Sequence, residues 1–382
     1  MTPYFPRPLR RLAAPLLALG CLAGGSAAAQ GGYPNHPISL VVPFAAGGPT
    51  DVVARSLGAA MSKTLGQSIV VENRPGAGGT LAATHVARAA PDGYTFLIHH
   101  NGMATAPALY RKLPFNPLTD FAYVGQVADV PMTLLGRKDL PPGDMVEFIK
   151  YARANGNKIN LANAGLGAVS QLCGMLLQEA LGTQFTTIPY AGTAPALTAL
   201  LGGQVDVLCD QTTQTIPHIK AQRVKLYGVT TLDRIRTLPD SPTLQESGVK
   251  GFEVKVWHGV YAPKGTPPEV VAKFNESLRA ALKDPAFTQK MAELGAEIVP
   301  EAKQTPAGLQ SWLQSEVDKW GRSSARRACT RTEAPGSPGR APAATALPTG
   351  GGGKRRMPAA PRRGCDTSKK RPAMIAGLSV AA

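Results

Sequence analysis

The sequence has few cysteines and, after its N-terminal segment, no long hydrophobic run. Cys173 and Cys209 are the two cysteines between residues 30 and 322. A chain with so little cysteine over this length is not a disulfide-stabilised scaffold. We expect the pair to be buried free thiols, although an oxidising compartment would also allow them to form a disulfide. Outside residues 12–20 no stretch is long and apolar enough to predict a transmembrane helix.

Several motifs of catalysis and cofactor binding are also missing. The glycine-rich segments contain no Gly-Lys-Ser/Thr, which a phosphate-binding Walker loop needs, and there is no Gly-x-Ser-x-Gly nucleophile elbow. Gly165-x-Gly167 lacks the third glycine and the distant acidic residue of a dinucleotide fingerprint. His99 and His100 are adjacent on a predicted strand, so they point to opposite faces, and no Cys/His/Asp cluster completes a metal site. We therefore predict no cofactor, no metal and no catalytic residues.

The net charge of +16 suggests a nucleic-acid-binding protein until it is divided along the chain. Residues 1–29 contribute +3, and residues 323–382, with twelve basic and two acidic residues, contribute +10. Residues 30–322 are left with +3 and carry no basic stripe. We therefore expect no nucleic-acid partner.

Residues 1–29 have the pattern of a signal peptide. Arg7, Arg10 and Arg11 precede the apolar stretch 12–20, and Ala27-Ala28-Ala29 fits a cleavage site. Cys21 as a lipoprotein cysteine and Arg10-Arg11 as a twin-arginine signal are alternatives with poorly matching flanks. We expect export to the periplasm as a soluble mature protein.

Residues 38–65 are typical of a strand, a glycine loop and a helix. Ile38–Val42 is an apolar, β-branched strand, residues 43–49 form the loop, and Thr50-Asp51 are expected to cap the helix that follows. Free backbone N–H groups at the positive end of such a helix suit an anion. An ordinary β–α connection with no ligand is the alternative.

The same pattern recurs at residues 159–181, and β–α alternation continues along the chain. Apolar strands alternating with helices predict parallel, doubly wound sheets, and two sets of glycine loops predict two lobes. Ligands of such sheets bind at the carboxyl ends of the strands, so a ligand between the lobes is the expected geometry.

A series of collinear motifs resembles the Bug/TctC receptors of tripartite tricarboxylate transporters. The motifs are Pro43-Phe44-x-x-Gly47-Gly48-x-Thr50-Asp51, Val71-Glu72-Asn73-Arg74-Pro75-Gly76-Ala77-Gly78-Gly79, Pro91-Asp92-Gly93-Tyr94-Thr95, Pro189-Tyr190-x-Gly192, Gly203-Gln204-Val205-Asp206, Leu238-Pro239-Asp240-x-Pro242-Thr243-Leu244-x-Glu246-x-Gly248, and Trp257-x-Gly259 with Ala262-Pro263-x-Gly265-Thr266-Pro267. The resemblance covers residues 33–322.

The resemblance implies an α/β protein of two doubly wound lobes joined by a hinge, like type II periplasmic binding proteins. Lobe 1 would comprise residues 30–131 and 252–322, and lobe 2 residues 132–251. The implied function is a monomeric periplasmic receptor that captures a small carboxylate and delivers it to membrane subunits of a transporter. A ligand sensor for two-component signalling is one alternative. A hydrolase that uses Ser170, His100 and Asp210 is a weaker one.

The resemblance also implies which residues bind the ligand, mainly through backbone N–H groups. Those of lobe 1 are Phe44, Gly47, Gly48, Thr50, Asp51, Ala77 and Gly78, and those of lobe 2 are Gly165, Gly167, Ala168, Tyr190, Gly192 and Asp210. His100 and Asn101 depart from the small polar residues usual in the family and are added as ligand contacts. For Asp51 a purely structural role as helix cap is the favoured alternative.

The last 60 residues change abruptly in composition. Residues 323–382 are rich in Arg, Pro, Gly and Ala and show no apolar periodicity, so we expect a disordered basic tail. A shifted reading frame would produce such a composition, and a functional basic arm is the alternative.

Overall fold

A computed structural model describes the backbone of residues 32–333 and the side chains of residues 32–321. The predicted signal peptide and most of the predicted tail lie outside this range. The helices are α1 (Pro49–Leu65), α2 (Thr80–Ala87), α3 (Gly102–Leu109), α4 (Met145–Asn155), α5 (Val169–Leu181), α6 (Thr193–Leu201), α7 (Thr212–Lys220), α8 (Pro268–Ala281), α9 (Pro285–Glu293) and α10 (Pro306–Glu333). The strands are β1 (Ile38–Val42), β2 (Ile69–Asn73), β3 (Thr95–His100), β4 (Phe121–Arg137), β5 (Asn160–Asn163), β6 (Thr186–Pro189), β7 (Val207–Gln211), β8 (Val224–Val229), β9 (Lys255–Pro263) and β10 (Glu297–Ile298).

The strands form a continuous curled sheet in the order β2-β1-β3-β9-β4-β7-β5-β6, with β8 and β10 also paired to β4. In the first half, β1 pairs in parallel with β2 and β3. In the second half, β5 pairs in parallel with β6 and β7. The two parallel halves have helices packed on them, which confirms the predicted α/β class with two lobes.

The sheets are parallel in each half, as predicted, but the centre of the sheet is antiparallel. β9 is antiparallel to both β3 and β4, and β4 is antiparallel to β7 and β8. At roughly 3.3 Å per residue, the 17 residues of β4 extend over about 55 Å, so one strand serves both halves. Its first part, Phe121–Pro131, pairs with β9, and its second part, Met132–Gly136, pairs with β7.

Helix α1 begins differently from the prediction. Its N-cap is Gly48, Pro49 occupies the first helical turn, where its missing N–H costs nothing, and Gly66 ends the helix in a left-handed conformation. Thr50 and Asp51 are therefore inside the first turn. The buried side of the helix, with Val53, Leu57 and Met61, belongs to the main hydrophobic core.

Cys173 and Cys209 form a disulfide, which corrects the expectation of free thiols. The bond joins α5 to β7, whose Cα atoms lie 6.2 Å apart at these positions, within the range that a disulfide requires. The two residues are 36 apart in sequence, and only the packing of α5 on the sheet brings them together.

Helix α10 continues to Glu333, so residues 323–333, which the composition predicts to be disordered, have a helical backbone. The segment from Ser323 to Glu333 contains neither glycine nor proline, the two residues that most disfavour a helix interior. Within the described part of the chain, no helix combines the length and the apolar character that a bilayer crossing requires.

Candidate functional site

A cavity lies between the two halves of the sheet. Residues of the first half and of the second half line it together. They are Phe44, Pro49, Thr50, His100, Met132, Ala164, Ala168, Val169, Ser170, Thr193, Asp210 and Gln211.

Four helices begin at this cavity without a side-chain cap. Each of α1, α5, α6 and α7 contributes a residue from its first turn or its N-cap to the lining, and none has a hydrogen bond from a capping side chain. Outside the lining, α4 and α9 are capped by the carboxylates of Asp144 and Asp284, whereas α2, α3 and α8 also lack a side-chain cap. The convergence of four such ends on one cavity is therefore the distinguishing feature. The uncapped ends present free N–H groups and positive dipole ends to the cavity.

The first glycine loop is held by Asp51. The carboxylate of Asp51 accepts hydrogen bonds from Gly47 N at 2.9 Å, Arg55 Nε at 2.9 Å and Asn73 Nδ2 at 2.9 Å. Burial raises the pKa of Asp51, but these donors outweigh it and lower the pKa overall. Asp51 is thus neither an N-cap nor a cavity residue. It fixes the backbone of Gly47, which has a φ of 77°.

The second glycine loop of the first half touches the second half. The hydroxyl of Tyr110 lies 2.7 Å from Ala77 O and 2.8 Å from Leu166 O, two carbonyl acceptors on opposite sides of the cleft. Gly78, with φ 61°, is so close to Leu166 that a Cβ on it would lie 1.8 Å from Leu166 O. The two halves are therefore in a closed arrangement at this rim.

Further contacts close the cleft elsewhere. Ala45 N donates to Ala191 O at 3.3 Å, and Thr105 Oγ1 donates to Gly167 O at 3.2 Å. A Cβ on Gly192 would lie 3.0 Å from Ala45 N, so Gly192 permits a close approach of two backbones.

The loop before α5 supplies the cavity wall of the second half. Gly165 and Gly167 have φ of 94° and 86°, and Gly167 N donates to Gln171 Oε1 at 2.8 Å. Ser170 is buried, and its Oγ accepts from Ala164 N at 2.9 Å. Because this acceptor role leaves the hydroxyl hydrogen unused, Ser170 can donate into the cavity.

His100 is a neutral donor in the lining. Its ring stacks on Phe44 at a centroid distance of 4.7 Å, and its Nδ1 accepts from Gly102 N at 2.9 Å. Burial first, and then the neighbouring His99 and His258, hold the pKa of His100 well below its usual range. The neutral ring therefore carries its proton on Nε2. His99 instead accepts from His100 N at 2.8 Å and does not line the cavity.

Thr50 and Asp210 also line the cavity, on opposite halves. Thr50 Oγ1 lies 3.2 Å from Nε2 of His258, a fully buried ring on β9 that the sequence-based prediction did not include. Asp210 is completely buried, and burial raises the pKa of its carboxyl to about 7, although the hydrogen bond from Gln211 N and the nearby hydroxyl of Thr193 act in the opposite direction.

The structure brings five of the fifteen predicted site residues to the cavity surface, namely Phe44, Thr50, His100, Ala168 and Asp210. The others lie behind it or at its rim, and they are Gly47, Gly48, Asp51, Ala77, Gly78, Asn101, Gly165, Gly167, Tyr190 and Gly192. Asn101 is occupied structurally, since its amide donates to Lys255 O at 3.1 Å and accepts from Trp257 N at 3.0 Å. Tyr190 packs against the apolar cluster around α6.

Several lining residues were missed by sequence reasoning. Thr193 and Gln211 follow predicted positions Gly192 and Asp210 at the starts of α6 and α7, so the rule that helix N-termini bind anions could have found them. Met132 has no such signal, because it reaches the cavity from the long strand β4. Ser170 was considered only for the hydrolase alternative.

Ser170, His100 and Asp210 line the same cavity, but no hydrogen bond joins any two of them. Each makes its polar contacts with neighbouring backbone instead. A nucleophile, a base and an orienting acid must be linked in sequence to form a triad, and this linkage is absent here. Across residues 32–333, no group of three or more histidine, cysteine or acidic side chains is placed to hold a metal ion.

Comparison with known proteins gives consistent matches over most of the chain. Residues 53–327 match the family described as tripartite tricarboxylate transporter family receptor. A UPF0065 protein of Agrobacterium vitis, from the TAR-I ttuE-ttuC′ intergenic region, is 49% identical over 293 residues, which cover 77% of this chain and 85% of the relative.

Solved structures agree with this assignment. The periplasmic binding protein BugD matches with a TM-score of 0.76 and 53% identity, covering 78% of this chain and 99% of BugD. MatC of Rhodopseudomonas palustris, solved with bound malate, matches with a TM-score of 0.73 and 43% identity over 76% of this chain and 100% of MatC. R. palustris Rpa4515, solved with adipate, matches with a TM-score of 0.73 and 36% identity over 78% and 98%.

The family match covers well over half of the chain, and the two-lobed α/β fold and the cavity between the lobes fit it. The chain therefore belongs to the tripartite tricarboxylate transporter family of receptors, the Bug/TctC periplasmic solute-binding proteins.

Proposed function

We propose that this protein binds a small carboxylate in the cavity between its lobes and delivers it to the membrane subunits of a tripartite tricarboxylate-type transporter. The observation that carries the proposal is the cavity with four uncapped helix N-termini. No lysine or arginine belongs to its lining among the described side chains. Backbone N–H groups and helix dipoles would hold the ligand carboxylate, each charge-assisted hydrogen bond contributing about 1.5–3 kcal/mol.

Support for a carboxylate also comes from the relatives with malate and adipate. The side-chain donors of the lining agree with such a ligand. Ser170 and His100 have hydrogens directed neither to backbone nor to each other, and both are neutral. A small anion would thus be recognised by many weak dipoles rather than by one arginine clamp.

Binding is tested by calorimetry with malate and adipate, each compared with its diamide. The diamide keeps the length of the acid but has no negative charge, and it has one acceptor oxygen and one NH2 donor in place of the two acceptor oxygens of each carboxylate, so it serves as the control for recognition of the anionic group. We expect one of the acids, or a related small carboxylate in a thermal-shift screen, to bind at least about tenfold more tightly than its diamide. Equal binding of acid and diamide would contradict a site built for anions.

We further propose that lobe 1 comprises residues 30–131 and 252–322 and that lobe 2 comprises residues 132–251. The two crossings of the chain between the lobes, near Pro131 and Phe252, would act as the hinge. Proteins of this class close on their ligands by hinge motion. Small-angle scattering with and without ligand tests this step, and an unchanged radius of gyration at saturation would contradict it.

Export, delivery and the monomeric state are parts of the same proposal. Residues 1–29 would direct export, and the receptor would act without catalysis. Uptake of a labelled carboxylate by cells with and without the gene tests delivery. Unchanged uptake alongside tight binding would favour the signalling alternative.

A further inference from the structure

Among the side chains that the structure describes, Asp210 is the one acidic group in the cavity lining, and half of its carboxyl group has no partner. The residue is completely buried at the end of β7. Its Oδ1 accepts from Gln211 N at 2.8 Å, whereas its Oδ2 makes no hydrogen bond. Buried polar atoms without a partner require an explanation. Among the described side chains of the lining, Gln211 Oε1 is in the same state, but Asp210 is the one that can carry a proton there.

No positive charge in the lining neutralises this carboxyl. On β4, the hydroxyl of Thr133 donates to the backbone carbonyl of Asp210 and not to its side chain. On α6, Thr193 Oγ1 donates to Gln214 Oε1 at 2.9 Å, so its hydrogen is not available to the carboxyl. On α5, Ser170 is the polar residue of the lining.

The first lobe faces Asp210 with one titratable group, His100, and with the hydroxyl of Thr50. His100 is neutral, as its buried ring has a strongly lowered pKa. The same burial that keeps His100 neutral raises the pKa of Asp210 to about 7. No other titratable side chain lines the cavity within the described range.

A carboxylate ligand would place a second negative group in this enclosure. Two ionised carboxylates at close range repel each other, and such pairs in proteins commonly share one proton. From this we infer, on the basis of the proposed function, that the receptor binds its carboxylate together with one proton, which Asp210 Oδ2 holds and donates to the ligand.

The step is balanced by one proton taken from solvent, and no covalent bond changes. Asp210 would then be neutral, and its Oδ2 hydroxyl would donate a hydrogen bond to an oxygen of the ligand carboxylate. The inference makes Asp210 a determinant of specificity. A protonated carboxyl favours an anionic oxygen at this point of the ligand, whereas an ionised one would favour an ammonium group.

The first test measures proton uptake during calorimetric titration of the wild-type protein with malate and adipate. Titrations at about pH 8 in buffers of different ionisation enthalpy should show an uptake that approaches one proton per ligand. Between about pH 6.5 and pH 8.5 the affinity should fall on the order of twentyfold, since above the pKa each pH unit costs about tenfold. Both acids are fully ionised across this range, and the buried histidines stay neutral.

The second test uses Asp210→Asn, which keeps a donor at the same position but cannot titrate. It should bind the acids at about pH 8.5 at least as tightly as the wild type, with no proton uptake and a flat pH profile. Asp129→Asn is the matched control, because burial also raises the pKa of the partly buried Asp129, yet Asp129 does not line the cavity. Its pH profile should match that of the wild type.

Two outcomes would overturn this inference and leave the proposed function intact. One is wild-type binding of malate or adipate with no buffer-dependent enthalpy and constant affinity over this range. The other is a folded Asp210→Asn protein that has lost its affinity, since an ionised Asp210 would then be the recognising group. Failure of the wild type to bind any carboxylate would instead overturn the proposed function and the inference together.

Discussion

Replacing Gly78 with alanine should prevent the closed arrangement of the two lobes. The added Cβ would lie 1.8 Å from Leu166 O and 3.2 Å from the hydroxyl of Tyr110. Contacts of Cβ atoms below 3.0 Å essentially never occur, so the carbonyl would have to retreat by more than 1 Å. Because this carbonyl belongs to the opposite lobe, the cleft would open at its rim.

The free-energy cost expected for Gly78→Ala has two parts, and a control variant separates them. Alanine at the φ of 61° found at Gly78 costs about 1–2 kcal/mol of folding stability. Gly182 has nearly the same φ, 63°, but open space around its Cβ position, so Gly182→Ala should have this cost alone. The loss of the Tyr110 contacts across the cleft should add about 1 kcal/mol in the closed form of Gly78→Ala, and the steric overlap should add more.

Calorimetry measures the affinity of each variant for malate and adipate, and small-angle scattering measures its radius of gyration. We expect Gly78→Ala to bind at least about tenfold more weakly than the wild type and to keep a larger radius of gyration with ligand. Gly182→Ala should bind normally in spite of a similar loss in melting temperature. Equal affinities of the two variants would refute the reasoning that contact at this rim is required for binding.

Three further changes have expected outcomes. Cys173→Ala with Cys209→Ala opens a 36-residue loop and should lower the free energy of unfolding by about 4 kcal/mol in urea denaturation, and an unchanged midpoint would contradict this. For Asp210, whose folded pKa lies above its unfolded value of 3.8, stability without ligand should fall as pH rises to about 7 and then level off. Asp210→Asn should remove that slope in pH-dependent thermal denaturation. Tyr110→Phe should weaken ligand affinity by up to about tenfold, for one lost hydrogen bond of about 1 kcal/mol, and calorimetry would show no change if the hydroxyl does not stabilise the closed form.

Most strands and helices were predictable because their signals are local. Apolar runs such as Ile38–Val42 and glycine loops such as residues 163–168 appear in the structure within a few residues of their predicted bounds. The antiparallel centre of the sheet was not predictable in this way. The direction in which β9 pairs with β4 depends on how the chain crosses between lobes, and no local pattern records that.

The candidate site likewise has features that local sequence predicts and features that depend on tertiary packing. The sequence is sufficient to predict that glycine loops precede helices in both lobes, because conformational freedom and helix starts are properties of short segments. It also determined the excess of basic residues outside residues 30–322. The hydrogen bonds of Asp51 to Gly47 and of Asn101 to β9, and the disulfide between Cys173 and Cys209, depend instead on how distant elements pack together. The burial of Asp210 depends on tertiary packing as well, since the elements that surround a buried carboxyl are distant from it in sequence.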